Sequence, residues 1–162
     1  MFRSLIAAVA GAALLAGASA AQSATLIYTT SLSGSSEVPP TGSPATGTTL
    51  VTINDVTNTM FVQETFSGLI GGSASAAHIH CCTPVGTNTG VAVPFTGFPA
   101  ATSGTYNNAF DLTSSAIYSS AFLAASGGTA AGAEAALLTG LARAGKYAAS
   151  SAWPFPSPEV GR

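Results

Sequence analysis

Charge is scarce in this sequence. Only 6% of its 162 residues are charged, against about 25% in an ordinary globular chain. Between Glu64 and Asp111 there is no Asp, Glu, Lys or Arg at all. Four basic residues in the whole chain cannot make a phosphate-binding surface, which argues against nucleic acid as a partner. A formal net charge of −2 implies no strong steering of any ligand. Cysteine and histidine number two each, so a third of either is missing. The carboxylates Glu37, Asp55, Glu64, Asp111, Glu134 and Glu159 are scattered and none forms a motif pair. No Ser-His-Asp set is visible; His78 could be joined to Asp55 or Asp111 only on paper.

What is present begins with an export signal. Arg3 supplies a small positive region, "LIAAVAGAALLAGA" (5–18) an apolar run, and "ASA" (18–20) a small-residue cleavage site, with "QSA" (22–24) as a second option. The apolar run is short for a membrane span, which needs about 20 residues; an uncleaved N-terminal anchor is the alternative. No second run of spanning length follows. The expectation is a signal peptide over 1–20, a mature N-terminus at Ala21 or Thr25, no membrane span after its removal, and a secreted or periplasmic protein in a compartment that permits disulfides.

The remainder is long enough for one domain with its own core. Hydrophobic residues reach 47%, much of it alanine, while 18 Gly and 9 Pro mark a turn-rich chain. "TLIYTTSLSG" (25–34) alternates like a strand. "SSEVPPTGSPATG" (35–47) is a loop, since Pro39, Pro40 and Pro44 remove donors. "TTLVTIND" (48–55) and "TMFVQETFSGL" (59–69) predict a hairpin about the turn "DVTN", with Leu50 and Ile53 as the apolar anchors of its first strand. Further strands are predicted over 75–80, 91–95 and 103–112, the last anchored by Tyr106, Phe110 and Leu112. Helical spacing follows over 114–125, with a Ser N-cap, and an alanine-rich helix over 128–145 with Gly145 as its C′ residue. Short strands with turn signals between them imply an antiparallel sandwich or barrel with one or two short inserted helices.

Both histidines and both cysteines fall within "AHIHCC", residues 77–82. On a strand, His78 and His80 lie on the same face, and two imidazoles so placed can meet one copper or zinc ion. A third ligand must come from elsewhere: Glu37, Asp111 or a Cys thiolate. For Glu37, the plainer reading is a loop acid that bonds backbone N–H groups. Cys81 and Cys82 have three options: a vicinal bridge, intermolecular pairing or two thiols. In an exported protein the expectation is that they are oxidised together or capped. An all-local Cys2His2 site is disfavoured because the backbone lacks room to fold back around one ion. "AHIHCC" is therefore expected to be a structural corner first and a weak metal site second.

"SGSSEVPPTGSPATGTTLVTIND" followed by "FSGLIGGSASAAHIH" resembles the chordin-type (CHRD) domain, which is marked by an E-V-P-P segment, a strand-turn-strand and then A-H-I-H. "HIHCCTPVGTNTGVAVPFTGFPAATSGTY" and "GGTAAGAEAALLTGLARAGKYA" resemble its bacterial exported branch, and the likeness runs from about Thr25 to Tyr147. It implies an all-β, immunoglobulin-like or Greek-key domain, assigned here to residues 25–162. The His-x-His strand is also similar to the copper site of copper/zinc superoxide dismutases. The departure is at the end: where the family closes with Y-x-N-I-H, this chain has "KYAASSAWPFPSPEVGR", without the third histidine. The functional expectation is an exported, non-enzymatic module whose partner is an extracytoplasmic protein or a polysaccharide. The alternative is a copper or zinc protein with dismutase-like redox chemistry at His78 and His80.

Overall fold

The computed structural model describes residues 25–144, apart from 38, 85, 86 and 88. The expected signal peptide, Gly145 and the divergent tail lie outside the described residues. Among the described residues six strands form: β1 (Thr25–Ser33), β2 (Thr46–Asn54), β3 (Thr59–Ser67), β4 (His78–His80), β5 (Val91–Pro94) and β6 (Gly104–Asp111). Two helices follow, α1 (Ser120–Ala125) and α2 (Ala130–Ala144). Among the described residues, no helix is long and apolar enough to cross a membrane.

β1, β2, β3 and β6 make one antiparallel sheet in that order, and β4 pairs with β5 in a second. The chain leaves the first sheet after β3, forms the β4–β5 ribbon, and returns to lay β6 beside β3. Among the described residues β1 and β6 are the edges of the four-stranded sheet, which does not close into a barrel. The protein is an all-β sandwich of antiparallel sheets with two short helices.

Period-two alternation explains which face is buried. Along β3, Met60, Val62, Glu64 and Phe66 face the core, while Phe61, Gln63, Thr65 and Ser67 face out. β2 sends Thr49, Val51 and Ile53 inward. Leu50 therefore points outward, because residues 50 and 53 differ in parity and cannot both anchor one face. The β2–β3 turn is closed by Asn54 Oδ1, which accepts from the N–H groups of Val56 (3.0 Å) and Thr57 (2.9 Å). Asn58 carries the positive φ of 49°, a left-handed conformation that Asn tolerates better than most residues.

The inner face of the sheet, the β4–β5 ribbon and the helices enclose one apolar cluster. Its centre includes Ile53, Met60, Val62, Val93, Leu112 and Leu137, and Phe95 stacks on Tyr106 at 5.2 Å. Glu64 lies on this inner face with its carboxylate buried, accepting a hydrogen bond from Thr49 Oγ1 at 2.9 Å. α2 contributes Ala133, Leu137 and Leu141, whose spacing of four puts them on one stripe.

Two predicted elements come out shorter. The strand expected over 75–80 is confined to residues 78–80. Ala74 donates its N–H to Ala101 O at 2.9 Å, and Ala77 O accepts from Phe95 N at 2.9 Å. These bonds tie the approach to neighbouring loops instead of a ladder. The helix expected over 114–125 is split into a 3₁₀ turn at Ser115–Ile117 and α1. Tyr118 between them is extended, and its hydroxyl donates to Leu112 O at 3.0 Å. Burial, then Glu134 and Asp111, push that phenol up to about 12, so it stays a donor. Ser119 caps α1 by accepting from Phe122 N at 3.1 Å, and also donates to Val91 O and, through its backbone N–H, to Ala92 O. That pair of bonds seats α1 on β5.

Candidate functional site

β4 and the loop after it carry both histidines and both cysteines of the chain. His78 stands opposite Pro94 and His80 opposite Val91, with a register irregularity between Ile79 and His80. Ile79 turns into the core, so the two imidazoles share the other face of the ribbon. Their ring centroids are 4.5 Å apart with planes at 79°. Both are partly covered. Nδ1 of His78 and both ring nitrogens of His80 are buried without a hydrogen-bond partner, an uncommon state for buried polar atoms. Because neither Nδ1 is held by a carboxylate, neither imidazole is oriented as the base of a catalytic triad would be. Asp111 instead accepts from Thr113 N–H (2.9 Å) and Thr113 Oγ1 (2.6 Å).

Burial lowers the pKa of His78 below its ordinary 6.5, and the neighbouring His80 lowers it further. The folded protein therefore takes up this proton later than the unfolded chain as pH falls. The linked stability is fully present above 6.5 and declines below it, towards the folded value. The urea midpoint should thus be lower near pH 5.5 than near pH 7.5, and His78→Gln should flatten the step. Glu134, whose carboxyl is raised above 4.5 by burial and then by Asp111, acts in the opposite sense at lower pH. A step of unchanged size in the variant would assign it to another group.

The sulfurs take a different direction. Cys81 and Cys82 are joined as a vicinal disulfide, and Cys82 has a φ of +80°, a backbone region that L side chains seldom enter. Both sulfurs rest on α2. They lie 3.9 and 3.4 Å from the carbonyl oxygen of Ala136; joined sulfurs carry no proton, so these are packing contacts. Gly140 is the seat: a Cβ there would clash with Cys81 Sγ and stand 2.9 Å from Cys82 Sγ. The sequence-level reading missed Gly140. Its signal was an isolated glycine inside a helical pattern, which costs about 1 kcal/mol against alanine and often marks a close approach.

Two imidazoles at this spacing present donors that suit copper or zinc. Among the described residues, no three His, Cys, Asp or Glu side chains gather to hold an ion. Glu37, the first of the expected third ligands, ends a short 3₁₀ turn, its backbone N–H bonded to Gly34 O at 3.3 Å.

The CHRD domain family model matches residues 28–151, well over half of the chain. The chain belongs to the CHRD domain family. In this CHRD domain, Glu37, Pro39 and Pro40 of the E-V-P-P segment fall between β1 and β2, and A-H-I-H runs into β4. No curated protein and no solved structure matches the chain.

Proposed function

We propose that this CHRD-domain protein is exported and acts outside the cytoplasm as a non-enzymatic binding module. The observation that carries the reading is the division of labour at "AHIHCC". The imidazoles share one face of β4 with no carboxylate on either Nδ1, while the sulfurs are joined and packed on α2. Joined sulfurs offer no thiolate as nucleophile or ligand, so the motif serves as a corner that binds the β4–β5 ribbon to the helix. A vicinal disulfide also fits an oxidising compartment. The test is the intact mass of protein recovered from the producing cell. Chains beginning at Ala21 or Thr25, with Cys81 and Cys82 resistant to thiol labelling after unfolding without reductant, support the reading. Retained Met1 and two reactive thiols would sink it.

A second reading has one specific observation in its favour: the three buried imidazole nitrogens without partners. They suit a copper or zinc ion, and with copper the corresponding activity would be dismutase-like redox chemistry. Two histidines hold a transition metal weakly, so titration calorimetry should find binding no tighter than at an ordinary surface pair. A tight stoichiometric site, lost in His78→Ala/His80→Ala, would promote this reading over the first.

A further inference from the structure

We propose that the open face of the four-stranded sheet binds a neutral polysaccharide chain; this rests on the binding-module reading and names its ligand. The register lines outward-facing residues into transverse rows. One is Ser31–Thr48–Thr65–Thr105, and the next is Thr29–Leu50–Gln63–Asn107. Together they line a groove of about 610 Å³, within the roughly 300–1,000 Å³ of known ligand sites. Strands about 4.8 Å apart make a four-strand row roughly 14 Å long, enough for a short run of sugar rings.

The chemistry of the face selects the ligand. None of the eight outward side chains in these rows is ionisable. Glu64 borders the groove, but its side chain is 1% exposed and faces the core. A charged ligand would find no counter-charge, and a nucleic acid no cation. Hydroxyls and amides both donate and accept, which matches a polyol. Thr48 and Thr65 already link their hydroxyls at 2.9 Å, so the row is an ordered array. Gln63 gives one amide proton to Asn107 Oδ1 at 3.4 Å, leaving the Gln63 carbonyl oxygen and the Asn107 amide protons for a ligand. The next row is Ile27–Thr52–Phe61–Ala109. There Phe61 is 38% and Ile27 65% exposed. A ring and an aliphatic side chain beside a hydroxyl array offer the apolar surface on which the C–H faces of sugars pack.

Affinity electrophoresis of the mature, oxidised protein tests this, with gels containing hydroxyethylcellulose, dextran or soluble starch, and alginate as the anionic control. At least one neutral polymer should retard the wild type, and added salt should change this little because no ion pair is involved. Gln63→Ala/Asn107→Ala and, separately, Phe61→Ala should each weaken that retardation about tenfold. All three side chains face outward, and unchanged thermal unfolding would confirm that the variants fold. No retardation by any neutral polymer, or retardation that both variants retain, would overturn the proposal. So would self-association of the wild type that the same substitutions abolish, because the face would then belong to a second copy. None of these failures bears on export or on the thiols, which the mass and labelling experiment reads separately.

Discussion

Gly140→Ala should destabilise the oxidised protein by about 2 kcal/mol. Two effects compete at this position. Alanine is the better helix former by about 1 kcal/mol, and α2 is a regular helix at Gly140. Against that, the new Cβ would clash with Cys81 Sγ and crowd Cys82 Sγ at 2.9 Å. Overpacking of a well-filled site costs about 1–3 kcal/mol, occasionally more, and a methyl placed on a covalently tied sulfur belongs at the upper end. The sulfur cannot swing away, because Cys81 is bonded to its neighbour and lies against the core. Overpacking therefore wins. In the background Cys81→Ala/Cys82→Ala the obstacle is gone, and the same substitution should become neutral or stabilising by up to about 1 kcal/mol. Urea unfolding of the four proteins gives the comparison. Equal losses in both backgrounds would show that the sulfurs are not what Gly140 accommodates.

That contact also marks where reading the sequence stops. The alternation in β1, β2, β3 and β6 was legible because one face of each strand is buried and the other wet. Parity then decides nearly every side chain, and the misjudged anchor, Leu50, is one that parity alone would have corrected. The ends of β4 were not legible. Ala74, Ala77 and their neighbours look no different from strand residues, and only the bonds to Ala101 and Phe95 take them out of the ladder. The break before α1 has the same kind of cause, since Tyr118 and Ser119 are spent on Leu112, Val91 and Ala92. At the site, the shared face of His78 and His80 followed from spacing. The direction of the sulfurs did not, because it depends on a helix that follows about fifty residues later in the chain. The hydroxyl rows of the open face are intermediate. Each strand shows its own polar side, but which threonine meets which needs the register.

Leu137→Ala should cost about 2–5 kcal/mol, a large part of the roughly 5–15 kcal/mol that holds a domain of this size together. Leu137 is fully buried, one helical turn from Ala133 and one from Leu141 on the stripe that α2 presents to the core. Alanine at Ala133 cannot spread into the space that Leu137 would vacate, so the cavity should persist. Leu138, the next residue, only abuts the core, and its replacement by alanine should cost about 1 kcal/mol, because less apolar surface is lost. The pair of substitutions thus separates docking from helix propensity, since both replace Leu by Ala in the same helix. The loss at Leu137 should also be felt at the sulfurs. Ala136 and Gly140, on either side of Leu137 along the helix, form their seat, so loosening α2 should speed reduction of the Cys81–Cys82 bond by dithiothreitol under native conditions. Urea unfolding reads the first effect and the rate of thiol appearance the second. Similar costs at 137 and 138, with no change in reduction rate, would mean that α2 is not held by this stripe and does not shield the sulfurs.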